Sequence, residues 1–501
     1  MELVFQDSQL EYLSRILCET VSQEQTADII IPDSYPDAER VVDAFGTLLI
    51  RSEECMAGSA SVAGVVQAGV LVVSEQGQVE CVQAQIPFSV RREFGAEQES
   101  CTLQCRCTLR SVDARLLNSR KLLVRVGISC TICVYAPKKH PCYDIAEPAE
   151  NLQLKRVELP LQMPLDLGEK SFGLNEELEL PSGKPAISKL LKCVYRAQMQ
   201  EQRVVGSKAV FKGELAVHAL YESDDETLHM HEWSVPFSQY AELERELDDH
   251  ELQTTLCLTS AETEPDGQVD SRRLLTSVNL LAQCLVTGLQ HIRLIEDAFC
   301  TDAELKPQFD DWQLNGILDR QIFRETAITE SDEPAESIVD ACMYPEEANK
   351  QRVGEKTQLE LPLNCNILYY DAEGKLRGKT LRPTVQLETE LSDNALCSVT
   401  EVVGGELFCA AGGSGIALRA PVSVTLESSA VHNLHAVCGG EISPLQETNA
   451  RRPALLLRRT DGEEDIWEIA KDCRTCVRSI REANDLKGDS VPEDTLLLIP
   501  M

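Results

Sequence analysis

Leu122-Leu123-Val124-Arg125-Val126-Gly127-Ile128-Ser129 decides the fold class. Leu122, Val124, Val126 and Ile128 share one parity, while Leu123, Arg125, Gly127 and Ser129 share the other. A strand sends successive side chains to opposite faces, so this stretch predicts an antiparallel sheet buried on one side. The same period returns late in the chain, where Val385, Leu387, Thr389 and Leu391 alternate with Gln386, Glu388 and Glu390. The protein is expected to be mainly β.

Outward from these strands the chain repeats itself. Turn glycines Gly58, Gly206 and Gly354 recur at equal intervals (206 − 58 = 354 − 206 = 148), and each opens a long alternating strand, at 61–73, 209–221 and 357–370. Each strand runs into a polar turn, Glu75-Gln76-Gly77, Ser223-Asp224-Asp225 or Asp371-Ala372-Glu373-Gly374. After the turn comes Pro87-Phe88, Pro236-Phe237 or Pro383-Thr384, so the third copy has lost the aromatic. Recurrence of this kind marks repeated modules, and about 110 to 120 residues suffice for one sandwich or barrel-like core. The expected layout is three tandem antiparallel modules at 25–137, 179–300 and 328–445, with a linker or extra strands at 138–178 and a linker at 301–327. Leu10, Leu13, Ile16 and Leu17 predict a short amphipathic helix within 1–24. The charged stretch 239–251 fits a turn or a helical insertion.

Composition narrows the function classes. Against 47 basic residues stand 82 acidic ones, a net charge of −35, which repels phosphate backbones and anionic lipid surfaces. Nucleic acid is therefore not an expected partner, and with no run near ~18 apolar residues no membrane insertion is expected. The start, Met1-Glu2-Leu3-Val4-Phe5-Gln6-Asp7, lacks a basic n-region and a long apolar stretch, which predicts no signal peptide and a cytoplasmic location. Twenty cysteines in a chain this long and this rich in core residues read as reduced thiols, not as a disulfide framework.

At the C-terminus the period changes. An apolar run (Leu455, Leu456, Leu457) leads to the acidic turn Asp461-Gly462-Glu463-Glu464-Asp465, and Asp465 suits a helix N-terminus. Ile466, Trp467, Ile469 and Ala470 then close one apolar helical stripe. A second helix from about Thr475 carries Val477, Ile480 and Ala483 and ends at Asn484, before the closing run Leu497-Leu498-Ile499-Pro500. This is a small α+β unit of βααβ order over 453–501. Its expected core is Ile466, Trp467, Ile469, Ala470, Ile480, Leu497 and Ile499. Its expected partner-binding surface is Glu463, Glu464, Asp465, Arg474, Arg478, Arg481, Asn484 and Asp485, a mixed arginine and carboxylate set suited to polar protein interfaces.

The succession Ile466-Trp467-Glu468-Ile469-Ala470-Lys471, Ile480 to Asn484 and Leu497 to Pro500 resembles a LysM domain. Ile30-Ile31-Pro32-Asp33 with Val41 and Val42, the strand ending Val70 to Val73, and Ile86-Pro87-Phe88 resemble a SPOCS domain. The second copy repeats these as Leu180-Pro181, Leu215 to Tyr221 and Val235-Pro236-Phe237. SPOCS repeats followed by LysM is the layout of the SipL-like family of spore coat morphogenetic proteins in clostridial endospore formers. The resemblance implies a non-catalytic adaptor in the mother-cell cytosol at the forespore surface, its LysM module docking onto a coat basement-layer ATPase of the stage IV sporulation protein A type. The alternative is a peptidoglycan or N-acetylglucosamine-binding LysM protein of the cell envelope. It ranks second because the usual Gly-Asp-Thr of the glycan groove is here Glu463-Glu464-Asp465, and a turn Gly is Asp494.

No constellation reads as catalytic, as a metal centre or as a cofactor site. His229-Met230-His231 puts two imidazoles on one strand face with no third ligand nearby, and His432 and His435 face opposite sides. Cys130-Thr131-Ile132-Cys133 lies in an alternating stretch, where positions three apart diverge. Cys473 and Cys476 lack a second pair to complete a zinc site. Gly412-Gly413-Ser414-Gly415 lacks the Lys and Ser/Thr of a phosphate loop and reads as a hairpin turn. The acidic series Glu242, Glu244, Glu246, Asp248, Asp249 and Glu251 lacks calcium-loop spacing.

Overall fold

Where the sequence alternates, the chain pairs. The computed structural model describes all residues except 1, 2, 4, 6–8, 57, 96–99, 146–148, 150, 267–270, 355, 391–394, 413–414 and 446–452. The first copy runs β1 (Gln9–Ile30), β2 (Ala38–Met56), β3 (Ser59–Ser74), β4 (Val79–Glu93), β5 (Thr102–Asn118) and β6 (Lys121–Pro141). These form two antiparallel sheets, ordered β2-β3-β4 and β1-β6-β5. The second copy, β7 (Leu152–Glu179), β8 (Lys189–Val205), β9 (Lys208–Glu222), β10 (Leu228–Glu242), β11 (Glu251–Pro265) and β12 (Arg273–Cys300), gives β8-β9-β10 and β7-β12-β11. The third opens with β13 (Ala303–Ser331), β14 (Ser337–Pro345), β15 (Asn349–Val353) and β16 (Lys356–Tyr370). It continues with β17 (Leu376–Leu381), β18 (Thr384–Glu390), β19 (Leu396–Gly404), β20 (Phe408–Gly412) and β21 (Gly415–Pro444). In it β16 pairs with β14, β15, β17 and β18, while β21 pairs with β13, β19 and β20.

Each pair of sheets encloses an apolar core, one per copy. The turn glycines behave as their spacing predicts: Gly58, Gly206 and Gly354 have φ of 86°, 59° and 67°, a region open to Gly at no steric cost. The polar turns are also built alike. In each, the first residue (Ser74, Ser223 or Asp371) accepts from the amide three residues on and donates to the carbonyl four residues on.

Two expectations are corrected. Residues 9–30 form a strand, not an N-terminal helix: β1 pairs with β6 along its length, and a bulge at Ile16, between Arg15 and Leu17, shifts the alternation by one. That shift produced the helix-like spacing of Leu10, Leu13 and Leu17. Residues 301–327 are not a linker but most of β13, paired along β21, and 138–178 holds the end of β6 and nearly all of β7. The stretch 239–251 completes β10 and then turns, with Leu243 and Leu247 buried.

The copies close on one another. Val42, Leu191 and Val339, at equivalent positions of β2, β8 and β14, meet with Leu71, Leu220 and Leu368 in one cluster shared by all three copies. At a second point Tyr12, Leu161 and Leu314, equivalent on β1, β7 and β13, meet with Leu10, Leu159 and Trp312. Equivalent residues converging at two points define an approximate threefold axis. β7 also touches β13 edge to edge, so the outer sheets of the second and third copies run together as β11-β12-β7-β13-β21-β19.

The chain ends in β22 (Leu455–Arg459), β23 (Glu464–Asp465), α1 (Ile466–Cys473), α2 (Val477–Ala483), β24 (Ser490–Val491) and β25 (Leu496–Pro500). β22 pairs with β25 and β23 with β24.

Candidate functional site at the C-terminal module and the threefold junction

Asp465 caps α1 as its position implies: it is extended, and its Oδ1 accepts from the Trp467 amide at 2.9 Å. Arg474 closes α1 in the left-handed conformation, and Asn484 follows α2. Ile466, Trp467, Ile469, Ala470, Ile480, Leu497 and Ile499 are all buried, joined by Val491.

Trp467 does more than fill this core. Its ring packs edge-on against Phe299 of β12, centroids 4.9 Å apart, and its Nε1 donates to Asp297 Oδ2 at 2.8 Å. Lys471 Nζ reaches the same oxygen at 2.5 Å. Lys155 of β7 bridges Glu296 and Asp465, at 3.3 and 3.4 Å. A bulge between Ile295 and Asp297 sets the carboxylate there. Thus α1 is seated on the second copy, and its Trp face is occupied within the chain.

The eight expected contact residues divide. Glu463 accepts from Ser490 Oγ at 2.6 Å, Glu464 pairs with Arg458 at 2.7 Å, and Asp465 is spent on the cap and on Lys155. Arg481 pairs with Asp489, so Glu463 and Arg481 both engage the 489–490 segment. Asn484 is a clamp: it donates to Ile480 O and Leu498 O and accepts from the Leu498 amide, each at 2.7 Å. Arg474 is half-buried, Asp485 is exposed at φ 51°, and Arg478 projects into solvent beside Glu482. Sequence reasoning missed an apolar face. Leu455, Leu457 and Leu496, on the outer side of the β22–β25 pair, are 49, 62 and 64 % exposed. The unbroken leucine run was the available signal, because a strand with one wet face alternates.

The junction holds a second set that the sequence did not disclose. Lys192 is 1 % exposed and ion-pairs with Asp43 and Asp340, each at 2.8 Å, donating a hydrogen bond to Asp43. The three sit at equivalent positions of β8, β2 and β14, each directly after a one-residue bulge. His218 joins them, 2.7 Å from Asp340 and 3.5 Å from Glu232. Burial opposes charge on His218, but the bonds to Asp340 and Glu232 prevail and raise it to about 9. Burial likewise opposes ionised Asp340, yet Lys192 and His218 hold its carboxyl below the usual range. A cavity of about 790 Å³ opens beside them, reaching all three copies.

His229 accepts from or donates to Thr227 Oγ1 at 2.7 Å, and His231 lies edge-on to Trp233. Among the described residues no three His, Cys, Asp or Glu gather as metal ligands, and no helix is long and apolar enough to cross a membrane. Among the described residues no cysteine is in a disulfide. Gly412 of β20 pairs with Gly415 of β21, and residues 413–414, where the sequence predicts a hairpin turn, lie outside the described residues.

Residues 186–260 match the family described as SipL, SPOCS domain. The match spans β8, β9, β10 and most of β11, and includes Lys192 and His218. No curated protein matches the chain.

Proposed function

We propose that this chain is a non-catalytic assembly adaptor of sporulation, a SipL-like protein in which three SPOCS-type copies form a platform for a C-terminal LysM-type docking module. The SipL SPOCS match over 186–260 carries this reading. The recurrence of the same strand order in all three copies extends it from the second copy to the first and third. The partner is a coat basement-layer ATPase of the stage IV sporulation protein A type, met in the mother-cell cytosol at the forespore surface. The C-terminal module supports docking to protein over glycan: its acidic turn is consumed by internal bonds, while its leucine face stands open. Exposed leucines flanked by Arg459, which pairs across the strands with Leu496, have the composition of an interface core and rim.

The test is a pull-down of the purified ATPase by the full chain carrying Leu455→Asp and Leu457→Asp. These side chains are exposed, so melting should hold while recovery of the partner falls at least tenfold. Recovery equal to the parent chain overturns the docking assignment. Co-sedimentation of the parent chain with purified peptidoglycan, abolished by the same changes, would favour the cell-envelope reading instead.

A further inference from the structure

Two pairs of cysteines lie directly across strands of the β1-β6-β5 sheet. Cys18 of β1 faces Cys133 of β6, and Cys107 of β5 faces Cys130 of β6. Cys130 and Cys133 therefore do not pair with each other; each has its own neighbour, on opposite faces of the sheet. Directly opposed residues in antiparallel strands stand about 4.5–5.5 Å apart at Cα, within the span a disulfide bridges. Cys130 is fully buried, whereas Cys18 is exposed. Arg15 and Arg106 stand near Cys18, and Cys133 hydrogen-bonds to it.

We propose that Cys18 and Cys133 are a reversible disulfide site, oxidised by low-molecular-weight disulfides, that staples the first strand of the chain to the last strand of its copy. The Cys18 thiolate attacks one sulfur of the oxidant RSSR: the Cys18–SR bond forms, the S–S bond breaks, and RS⁻ leaves with the proton Cys18 released. Cys133 then gives up its proton and attacks Cys18 Sγ. The protein disulfide forms and the second RSH departs. Two thiols are oxidised and one RSSR is reduced. The order follows from the surroundings: the Cys133 hydrogen bond, with Arg15, brings Cys18 down to about 7 against the desolvation its neighbours impose, and the same contact plus burial push Cys133 up. Cys55 and Cys101 also touch, but burial raises both, Cys55 to about 11, and makes them the built-in comparison. A bond from 18 to 133 closes a long loop around β2 to β5, which constrains the unfolded chain and raises the unfolding midpoint.

The experiment treats the full chain with glutathione disulfide at pH 7.5 and maps peptides without reduction. The expected result is a cross-linked peptide joining Cys18 to Cys133, reversed by dithiothreitol, ahead of any change at Cys55 or Cys101. Cys133→Ser should leave a lasting glutathionyl adduct on Cys18, and Cys18→Ser should give neither product. Native alkylation of Cys18 in the unmutated chain, with half-maximal rate near pH 7, reads the same site without any variant. Cross-linking at Cys55–Cys101 first, or a Cys18 that alkylates only above pH 9, overturns the proposal.

Discussion

Lys192 shows how one residue can hold three copies in register. A threefold junction of like residues would crowd three equal charges; here the middle copy supplies the ammonium and its neighbours the carboxylates. Removing one member of a buried ion group leaves a bare charge, at a cost of about 3 to 5 kcal/mol. Lys192→Met should therefore lower the urea midpoint sharply, and the triple change Asp43→Asn, Lys192→Met, Asp340→Asn should recover most of the loss. His218 gives the same junction a pH signature. Its folded value, about 9, lies above the ordinary 6.5, so its stabilisation is complete below about pH 6.5 and is lost as pH rises through 9. The size is about 3 kcal/mol. Cys18, lowered to about 7, acts in the opposite sense over the same range, so the informative quantity is the difference between the parent and His218→Gln. That difference should shrink from pH 6.5 to 9.5 in equilibrium unfolding; a constant difference would refute the assignment.

Among elements, the central strands were legible and the first strand of each copy was not. The strands β3, β9 and β16 alternate over their first halves, where the core lies on one face, and their glycine turns and polar hairpins fall where spacing put them; their second halves are buried on both faces, against the shared cluster as well as their own core. β1, β7 and β13 are long, bulged and largely wet, so their alternation slips by one residue and reads as helix or linker. The bonds that reveal them run to residues 85 to 148 positions away, which no local period records. The third copy's missing aromatic also acquires a cause. In the first two copies Phe88 and Phe237 lie over glycines of the facing strand, Gly64 and Gly213. In the third, Thr384 faces Pro362: both partners changed together, and the flanking strands break into β14 and β15, β17 and β18. A Cβ at Gly213 would come within 2.2 Å of Gln198 O and 2.6 Å of the Phe237 ring. Gly213→Ala should cost about 2 to 3 kcal/mol in chemical denaturation, by analogy with overpacking. Adding Phe237→Ala should not restore stability, because the backbone clash with Gln198 remains.

At the scale of the molecule, three modules with private cores could behave as beads on a string or as one body, and the shared clusters decide for one body. Tyr12, Leu161 and Leu314 are buried only because all three copies are present, as are Leu71, Leu220 and Leu368. Gln283 of the second copy is wholly buried and reaches the Cys105 amide, Leu103 O and Glu53 of the first. The C-terminal module, by contrast, has its own core and adds a small seat on the second copy, Trp467 and Lys471 on Phe299 and Asp297 and Asp465 on Lys155. Two truncations separate these relations. Ending the chain at 445 removes the module and keeps the ring, so a single cooperative thermal transition should persist near the parent's midpoint. Ending it at 302 removes the third copy, strips one side from both shared clusters and leaves Lys192 with Asp43 alone. That fragment should bind a hydrophobic dye and lose its sharp transition, since an opened ring exposes large apolar surface at once. If the 302 truncation instead melts as cooperatively as the 445 truncation, the copies are independent domains and the threefold junction is a contact without energetic consequence.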